Sequence, residues 1–316
     1  MAYTICKYTP DCRQEWDRFV ETSKNATFLH LRGYMDYHAD RFDDNSLIAR
    51  DPRGRIIALL PANRRGSVVV SHQGLTYGGW LTAYKHLDAA SMLEIHQLAS
   101  ALLKEDGATD LIYKPVPYIY TTVPAQEDLY MLFRCGAIRI ASLISSAIDL
   151  RTDAGPDADR RRKSRQALSY GIEVRESDDY ASYWQILSDV LASRHNARPV
   201  HTLAEITLLR DRFPSNIRLF AAFSADGEMI AGTVLYITRG VVHTQYLAAS
   251  EEGRRTNALT LVLSTLIDRF RREGYRWLDF GTSCEDGGNY LNEGLIRQKE
   301  SLGGRAVVYD TYSLPL

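Results

Sequence analysis

The sequence lacks several features that would assign it to a familiar class. Its four cysteines among 316 residues form no CxxC pair and no metal-ligand spacing, so neither a disulfide scaffold nor a zinc site is expected. No stretch approaches the roughly 18 apolar residues of a membrane helix, and the N-terminus lacks the residue order of a signal peptide. HExxH, EF-hand, GxSxG and P-loop patterns are also missing. We therefore expect a cytoplasmic protein with no metal and no transmembrane span.

An excess of charge of either sign is also missing. The chain has 38 Lys and Arg against 39 Asp and Glu, so there is no overall basic field of the kind that favours DNA. The 19 tyrosines are dispersed and give no stacking pattern for RNA. Apolar residues make up 45% of the chain, as in ordinary globular proteins, and the length suits about two domains.

The chain does contain a weak internal repeat. Segments beginning at Leu47 and at Leu219 each contain three short apolar runs, separated by turns at Gly54 and Gly227 and then by an Arg-Gly step. Short apolar runs divided by glycine turns are typical of hairpins, so each half is predicted to begin with a three-stranded meander.

The elements after each meander repeat as well. Helical periodicity predicts helices over 91–105 and 257–273, and shorter ones over 127–135 and 292–302. Asp88 is a candidate N-cap for the first of these helices. A strand lies between the two helices of each half, and a β-rich run follows the second. The predicted helices end at glycines that keep one offset between the halves: Gly107, Gly136, Gly274 and Gly303. Gly155-Pro156 breaks structure, so we place the domain boundary there, giving domains over 1–155 and 156–316.

This mixed α/β order is that of the GNAT acyltransferase fold, and the sequence resembles the FemAB-like branch of that superfamily. The resemblance is carried by the segments NATFLHLRGYMDYHADRF, SHQGLTYGG, HTQYLAAS, EGRRTNAL and LDFGTSCEDGGNYLNEGLIRQKESLGGR. It implies two tandem GNAT-like α/β domains and transfer of an acyl or aminoacyl group to an amine, often on a cell-wall or surface-sugar precursor. FemAB proteins that use aminoacyl-tRNA often carry a long helical arm, for which there is no room between Val174 and Leu219, so acyl-CoA is the favoured donor.

The resemblance places the donor site in the second half. There EGRRTNAL occupies the position of the pyrophosphate loop, with Gly253 expected to allow a tight loop and Asn257 expected to cap the next helix. A plain capped helix start is the alternative interpretation. The first half has no such segment, so we expect it to have lost donor binding and to shape the acceptor site. The residues predicted to bind the donor are Leu247, Ala248, Gly253, Arg254, Arg255, Thr256, Asn257 and Ala258.

Four residues are candidates for catalysis. Acylation of an amine needs a base, for which Asp279, Glu285 and His243 are candidates, and Lys299 can neutralise developing charge. Each has a structural alternative, since strand histidines and helix lysines commonly serve packing or solvation. Strict alternation along the strand predicts that His243 shares one face with Gln245 and that Tyr246 lies on the other.

Polar residues near these positions are candidates for acceptor binding. They are His72, Gln73, Tyr77, Arg162, Gln245, Tyr246, Ser283 and Asn292. Arg162 belongs to the basic run RRRKSR, Arg160–Arg165, which can hold phosphates of a nucleotide-sugar or lipid-linked acceptor, contact an anionic membrane, or simply form a solvated helix start.

Three functions remain open from the sequence. The first is an N-acyltransferase that uses acyl-CoA and acts on an amino sugar or a cell-envelope precursor. The second is an aminoacyltransferase that uses aminoacyl-tRNA in peptidoglycan branch formation. The third is a non-catalytic binding module on a duplicated GNAT scaffold, since a fold does not determine a function.

Overall fold

The computed structural model describes residues 3–316. The strands are β1 (Thr4–Lys7), β2 (Asp43–Asp44), β3 (Leu47–Arg50), β4 (Ile56–Leu60), β5 (Asn63–Arg65), β6 (Val68–Val70), β7 (Leu81–Thr82), β8 (Asp110–Tyr113), β9 (Ile138–Asp149), β10 (Glu173–Ser177), β11 (Ile217–Phe223), β12 (Met229–Ile237), β13 (Val241–Ala249), β14 (Trp277–Thr282), β15 (Cys284–Glu285), β16 (Tyr290–Leu291) and β17 (Arg305–Pro315). The helices are α1 (Arg13–Thr22), α2 (Arg32–Met35), α3 (Ala89–Glu105), α4 (Glu127–Arg134), α5 (Ala158–Ser169), α6 (Tyr180–His195), α7 (Leu203–Arg212), α8 (Glu251–Arg255), α9 (Ala258–Arg272) and α10 (Glu293–Ser301).

The chain divides into two compact units. Unit 1 contains the residues up to Leu143 together with Glu285–Tyr290 and Val308–Leu316, and unit 2 contains Ile144–Cys284 and Leu291–Val307. The first division thus falls inside β9, whereas the sequence placed the domain boundary near Gly155. Strands β9 and β17 have 12 and 11 residues, about twice the usual strand length, so each is long enough to contribute to both units.

Unit 1 has a parallel pair of strands, β6 and β8, flanked by β5 on one side and by the C-terminal part of β17 on the other. A second sheet has the strand order β1-β3-β4-β7. The continuous three-stranded meander predicted for this half is therefore wrong, because β4 and β5 pair in different sheets. Pro61 lies between them, and a proline has no N–H to donate to a strand ladder.

The core of unit 1 lies against α3, which begins as predicted. Asp88 caps the helix, its Oδ1 accepting a hydrogen bond of 2.8 Å from the backbone N–H of Ser91. The side chains of Met92, Ile95 and Leu103 are buried against the sheet residues. The α3 helix therefore stabilises unit 1 mainly through the apolar face that its periodicity indicated.

Unit 2 contains the second predicted meander, formed by β11, β12 and β13 in antiparallel order. Strand β14 pairs in parallel with β13 and antiparallel with the Ser145–Asp149 part of β9. Helix α9 covers one face of this sheet with a buried apolar stripe that includes Leu266 and Phe270. Helix α6 contacts β12 and β13. In this unit the order of elements and the predicted glycine ends of α9 and α10 agree with the sequence analysis.

Among residues 3–316, the helices are all too short or too polar to cross a lipid bilayer.

Candidate active site

The parallel strands β13 and β14 diverge after three paired positions. Their ladder runs from Val241 opposite Trp277 to His243 opposite Asp279, and within the described chain β13 then continues to Ala249 without β14 as a partner. Gly281 turns the backbone of β14 at this point with φ of +75°, a conformation that L side chains rarely adopt. The divergence leaves backbone N–H and C=O groups of β13 available for another partner.

A β-bulge in β13 reorders its faces. In the ladder with β12, Tyr236 pairs with His243 and Val234 pairs with Tyr246, so Gln245 is the extra residue. Val234 and Tyr236 share a face of β12, and their partners therefore share a face of β13. The prediction that Tyr246 lies on the face opposite to His243 is wrong, because alternation fails by one residue at a bulge.

His243 and Asp279 form a hydrogen-bonded pair at the point of divergence. His243 Nδ1 donates to Asp279 Oδ2 over 2.7 Å, which leaves the lone pair of Nε2 available as a base. The Asp279 carboxylate is fully buried, and its Oδ1 accepts hydrogen bonds from Ser145 Oγ at 2.6 Å and from the Gly281 N–H at 3.2 Å. The His243 side chain keeps 16% of its surface exposed, so it remains open to a substrate.

Lys299 is a buried residue of α10 rather than a solvated lysine. Its Nζ donates to the carbonyl oxygens of Gly281 at 2.8 Å and Thr282 at 2.7 Å, which fixes the backbone just after Asp279. Burial lowers the pKa of Lys299 to about 8, and the neighbouring Asp279 partly opposes that shift. The structure thus brings Lys299 and the His243–Asp279 pair together around Gly281, and the catalytic role of these residues stays a prediction.

The other candidates near this loop have different surroundings. Glu285 is exposed and belongs to unit 1, whereas the other three catalytic candidates belong to unit 2. Asn292 caps α10, because its Oδ1 accepts from the Leu295 N–H at 3.0 Å. Ser283 is buried, and in the described part of the chain its Oγ has no hydrogen-bond partner.

Two residues that the sequence analysis did not single out belong to this region. Ser145 orients Asp279 from 134 positions away, and no local pattern could indicate it. His201 Nδ1 lies 2.5 Å from Tyr246 Oη, and the indole N–H of Trp184 donates to the His201 carbonyl oxygen at 3.2 Å. The segment before α7 is therefore bound to the same face of β13 that carries His243.

The segment predicted as a phosphate loop is largely helical. Ser250 caps the short helix α8, which contains Gly253, Arg254 and Arg255, so the expected tight loop at Gly253 is wrong. Gly253 is needed for close packing rather than for a turn, because a Cβ there would lie 2.1 Å from the Ile230 carbonyl oxygen. Arg254 donates from Nη1 to the Ala249 carbonyl oxygen at 2.8 Å.

The start of α9 also differs from the prediction. Asn257 has φ of +60°, and its side chain makes no cap hydrogen bond; its Nδ2 instead lies 3.5 Å from Gln166 Oε1. Thr256 is buried and donates to the Glu252 carbonyl oxygen, and Ala258 is buried in the core. On β13, Leu247 is half-buried and Ala248 is buried. With no side-chain cap, the first-turn N–H groups of α9 are available to an anion.

The basic run lies in α5, which Asp157 caps. Asp159 forms ion pairs of 2.7 Å with both Arg162 and Lys163. Arg162 remains mostly exposed in this pair, so it is a weakly held surface residue.

The candidates from the first half have partners inside unit 1. His72 is buried and stacked on His38, and burial lowers its pKa to about 2. Gln73 accepts a hydrogen bond of 3.0 Å from Asn63 Nδ2, and Tyr77 is buried. His72 and Tyr77 are thus parts of the unit 1 interior, whereas Gln73 is exposed, and the proposed role of these three residues in binding an acceptor stays a prediction.

One family model matches part of this chain. Residues 157–290 match the acetyltransferase (GNAT) domain family, a range that includes His243, Asp279 and the segment from α5 to α9. A search of curated protein sequences finds no match.

Solved structures match almost the whole chain. The structure of FemX is 14% identical, covers 97% of this chain and 96% of its own, and has a TM-score of 0.68. The structure of L-PGS from Bacillus licheniformis is 13% identical, covers 95% and 90%, and has a TM-score of 0.64. A tandem GNAT protein from the clavulanic acid biosynthesis pathway is 14% identical, covers 99% and 98%, and has a TM-score of 0.54. At these identities the likeness establishes the fold.

Proposed function

We propose that this chain, which has the tandem GNAT fold of FemAB-like proteins, is an N-acyltransferase that moves an acyl group from acyl-CoA to an amine. The observation that carries the proposal is the His243–Asp279 pair at the point where two parallel strands of unit 2 separate. A base held at the edge of an open strand can act on a ligand bound along that strand.

The donor fits two features of unit 2. Beyond His243, the edge of β13 that faces away from β12 offers N–H and C=O groups that match the amides of a pantetheine arm. The first turn of α9, which follows β13 and α8, offers N–H groups and the positive end of a helix dipole to a pyrophosphate. When bound, the donor supplies an activated thioester carbonyl.

His243 is the proposed base. Its Nε2 takes a proton from the attacking amine as the C–N bond forms. The C–S bond then breaks, and the departing thiolate takes that proton from the imidazolium, which restores the neutral base. Asp279 holds the imidazole in the tautomer with a proton on Nδ1 and stabilises the imidazolium. Ser145 in turn fixes the Asp279 carboxylate.

Lys299 is proposed as a positioning residue for the same site. Its two hydrogen bonds hold the backbone of Gly281 and Thr282, and Gly281 lies beside the imidazole of His243. Its charge also favours negative charge that develops during acyl transfer. Loss of this ammonium group should therefore affect both the geometry and the electrostatics of the site.

The acceptor is proposed to be an amino sugar or a cell-envelope precursor, met in the cytoplasm. This choice rests on the resemblance of the sequence to FemAB-like proteins and on the structural likeness to FemX and L-PGS. In this proposal unit 2 binds the donor, and unit 1 contributes to acceptor recognition.

The proposal is tested by titrating the purified protein with acetyl-CoA and longer acyl-CoAs in a calorimeter. We expect one donor site per chain, and release of free CoA thiol when amino sugars such as glucosamine or nucleotide-linked amino sugars are added. Failure of every acyl-CoA to bind would contradict the proposal. Binding without thiol release from any amine would instead favour a non-catalytic binding module.

A second candidate function is aminoacyl transfer from aminoacyl-tRNA, which the structural likeness to FemX supports. The present chain spans 96% of FemX, so the lack of a long helical arm does not distinguish this chain from that protein. A tRNA complex whose affinity falls steeply with salt, in a protein that does not bind acyl-CoA, would favour this function.

A further inference from the structure

Strand β14 has a bulge of its own, just after Asp279. In the ladder with β9, Asp279 pairs with Ala147 and Thr282 pairs with Ser145, so three steps along β14 correspond to two along β9. The bulged strand therefore carries one extra residue. Gly281, with φ of +75°, has the left-handed conformation that glycine supplies at such bulges.

The bulge brings Thr282 to the face of β14 that carries Asp279. Ser145 and Ala147 are two positions apart on β9 and share one of its faces. Their partners on β14 therefore share a face as well. Ser145 Oγ bonds to the Asp279 carboxylate on this face, and His243 bonds to the same carboxylate. With strict alternation along β14, Thr282 would lie on the opposite face.

The Thr282 side chain is half-buried, and its hydroxyl makes no hydrogen bond with any residue that the structure describes. Two neighbouring hydroxyls differ: Ser145 donates to Asp279 Oδ1, and Thr244 Oγ1 lies 3.5 Å from the Asp279 carbonyl oxygen. The backbone of Thr282 is nevertheless fixed, because its carbonyl oxygen accepts from Lys299 Nζ at 2.7 Å. Thr282 thus combines a fixed backbone with a hydroxyl that a ligand can use.

Thr282 directly follows the residue that lies beside the proposed base. A Cβ placed on Gly281 would lie 3.3 Å from His243 Cε1 and 4.0 Å from His243 Nε2. The backbone of Gly281 therefore passes the edge of the ring at which the amine is deprotonated. Thr282 is the next side chain along this backbone, so a ligand that reaches Nε2 comes next to its hydroxyl.

We propose that Thr282 is a further catalytic residue, whose hydroxyl donates a hydrogen bond to the carbonyl oxygen of the donor thioester. This inference rests on the proposed function. As the amine attacks, the C–N bond forms and the carbonyl π electrons move to oxygen. The hydroxyl stabilises this negative charge and keeps its own proton. The electron pair returns to re-form the carbonyl as the C–S bond breaks.

The attacking amine is a poorer partner for the Thr282 hydroxyl than the carbonyl oxygen is. The lone pair of the amine must attack the thioester carbon, and its proton goes to His243 Nε2. A hydrogen bond donated to that lone pair would hinder the attack. The carbonyl oxygen, in contrast, becomes a stronger acceptor as negative charge develops on it.

The test uses calorimetry on the full chain with acetyl-CoA and with S-ethyl-CoA, a thioether that lacks the carbonyl oxygen. We expect wild-type protein to bind acetyl-CoA about fivefold more tightly, the size of one neutral hydrogen bond. Thr282→Val should lose this preference, and Thr282→Ser, which restores a hydroxyl, should keep most of it. Thr311→Val, at a half-buried strand threonine of unit 1, is the matched control.

The rate of thiol release gives a second readout. Thr282→Val should lower kcat about 10²-fold, the usual effect of removing one oxyanion donor, with little change in the KM for acetyl-CoA. Thr282→Ser should recover most of the rate. A higher KM for the amine with an unchanged kcat would instead place the hydroxyl on the acceptor and would overturn the inference.

The binding outcomes separate this inference from the proposed function. If wild-type protein binds neither compound, the proposed function fails with it. If wild type binds the two compounds equally, or if Thr282→Val keeps the wild-type preference, only this inference is overturned. Loss of the preference in Thr282→Ser as well would assign the effect to packing of the side chain, and that result would also overturn it.

Discussion

The parallel strand pair of unit 1 and that of unit 2 follow the same order of elements but end differently. In unit 2, β13 and β14 separate after His243 and Asp279. In unit 1, the chain beyond β6 and β8 stays bonded: the Ser71 N–H donates to the Ile112 carbonyl oxygen at 2.8 Å, and the Lys114 N–H donates to Ser71 Oγ at 2.7 Å. The pair in unit 2 thus leaves backbone N–H and C=O groups of β13 without β14 as a partner. In unit 1, the residues that follow β6 and β8 are hydrogen-bonded to each other.

A returning segment completes the closure in unit 1. The Gly78 N–H donates to the Lys114 carbonyl oxygen at 2.9 Å, and Lys114 Nζ donates to the carbonyl oxygen of Leu75. Gly79 packs against the ring of Tyr113, where a Cβ would lie 2.7 Å from the phenol. The duplicated architecture is therefore insufficient for a ligand site, since the chain itself can occupy the backbone groups that a ligand would use.

The histidines of the two units also differ in burial and in partners. In unit 2, His243 is partly exposed and has a carboxylate partner. In unit 1, burial lowers the pKa of His72 to about 2 and that of His30 to about 4, which holds both rings neutral in the folded protein. A partly exposed imidazole suits proton transfer, whereas these buried ones suit packing.

The largest expected effect is on the turnover rate, at the point in unit 2 where β13 and β14 separate. Asp279→Asn should lower the turnover rate roughly 10³-fold, because His243 loses the partner that sets its tautomer, while acyl-CoA affinity stays close to that of wild type. The measurement is the rate of thiol release alongside calorimetric binding. Asp268→Asn, an exposed aspartate on α9, is the matched control. Full activity in Asp279→Asn would remove the His243–Asp279 pair from the mechanism.

In unit 1, a substitution that adds volume next to the hydrogen-bonded ends of β6 and β8 should lower the stability of the protein. A Cβ at Gly78 would lie 2.2 Å from the Ser71 carbonyl oxygen, so Gly78→Ala should lower the free energy of unfolding by about 3 kcal/mol. Urea denaturation measures this change, and CoA binding by the folded fraction should be unaffected. Gly240→Ala, where nothing lies within 4 Å of the added carbon, is the control. Weaker CoA binding in Gly78→Ala would mean that unit 1 takes part in donor binding.

The buried histidines of unit 1 predict a dependence of stability on pH. Their pKa values in the folded state lie below the usual 6.5, so the unfolded chain binds more protons below that pH and stability falls on acidification. At pH 5 each buried ring should cost about 2 kcal/mol relative to pH 7. His72→Asn should reduce the loss between these pH values by that amount in urea denaturation, because asparagine tolerates the φ of +62° there.

The control for this prediction is His86→Asn. His86 is exposed and also has a positive φ, +69°, so the substitution changes the backbone preference in the same way without removing a buried ring. An unchanged pH dependence in His72→Asn would show that the ring is not held neutral in the folded state.

Much of the fold was predictable because it depends on local chemistry. Helix periodicity, the Asp88 cap and the glycines at helix ends each act within a few residues, so the sequence displays them directly. The candidate site was predictable in part. His243, Asp279 and Lys299 were identified from residue type and position, and the structure brings these three together.

The remaining features depend on contacts between distant segments. The bulge at Gln245 changes which side chains share a face, and it becomes visible only in the register with β12. Ser145 reaches Asp279 through the pairing of β9 with β14, far apart in the chain. The division of β9 and β17 between the two units likewise depends on which strands pair with each part.

By itself, therefore, the sequence determined the kinds of elements, their repeated order and the residue types available for catalysis, because propensity, capping and turn chemistry operate locally. Tertiary structure alone decided which parallel strand pair stays open at its end and which histidine keeps solvent access. Those outcomes follow from backbone hydrogen bonds and burial between segments far apart in the chain, and such contacts leave no local pattern.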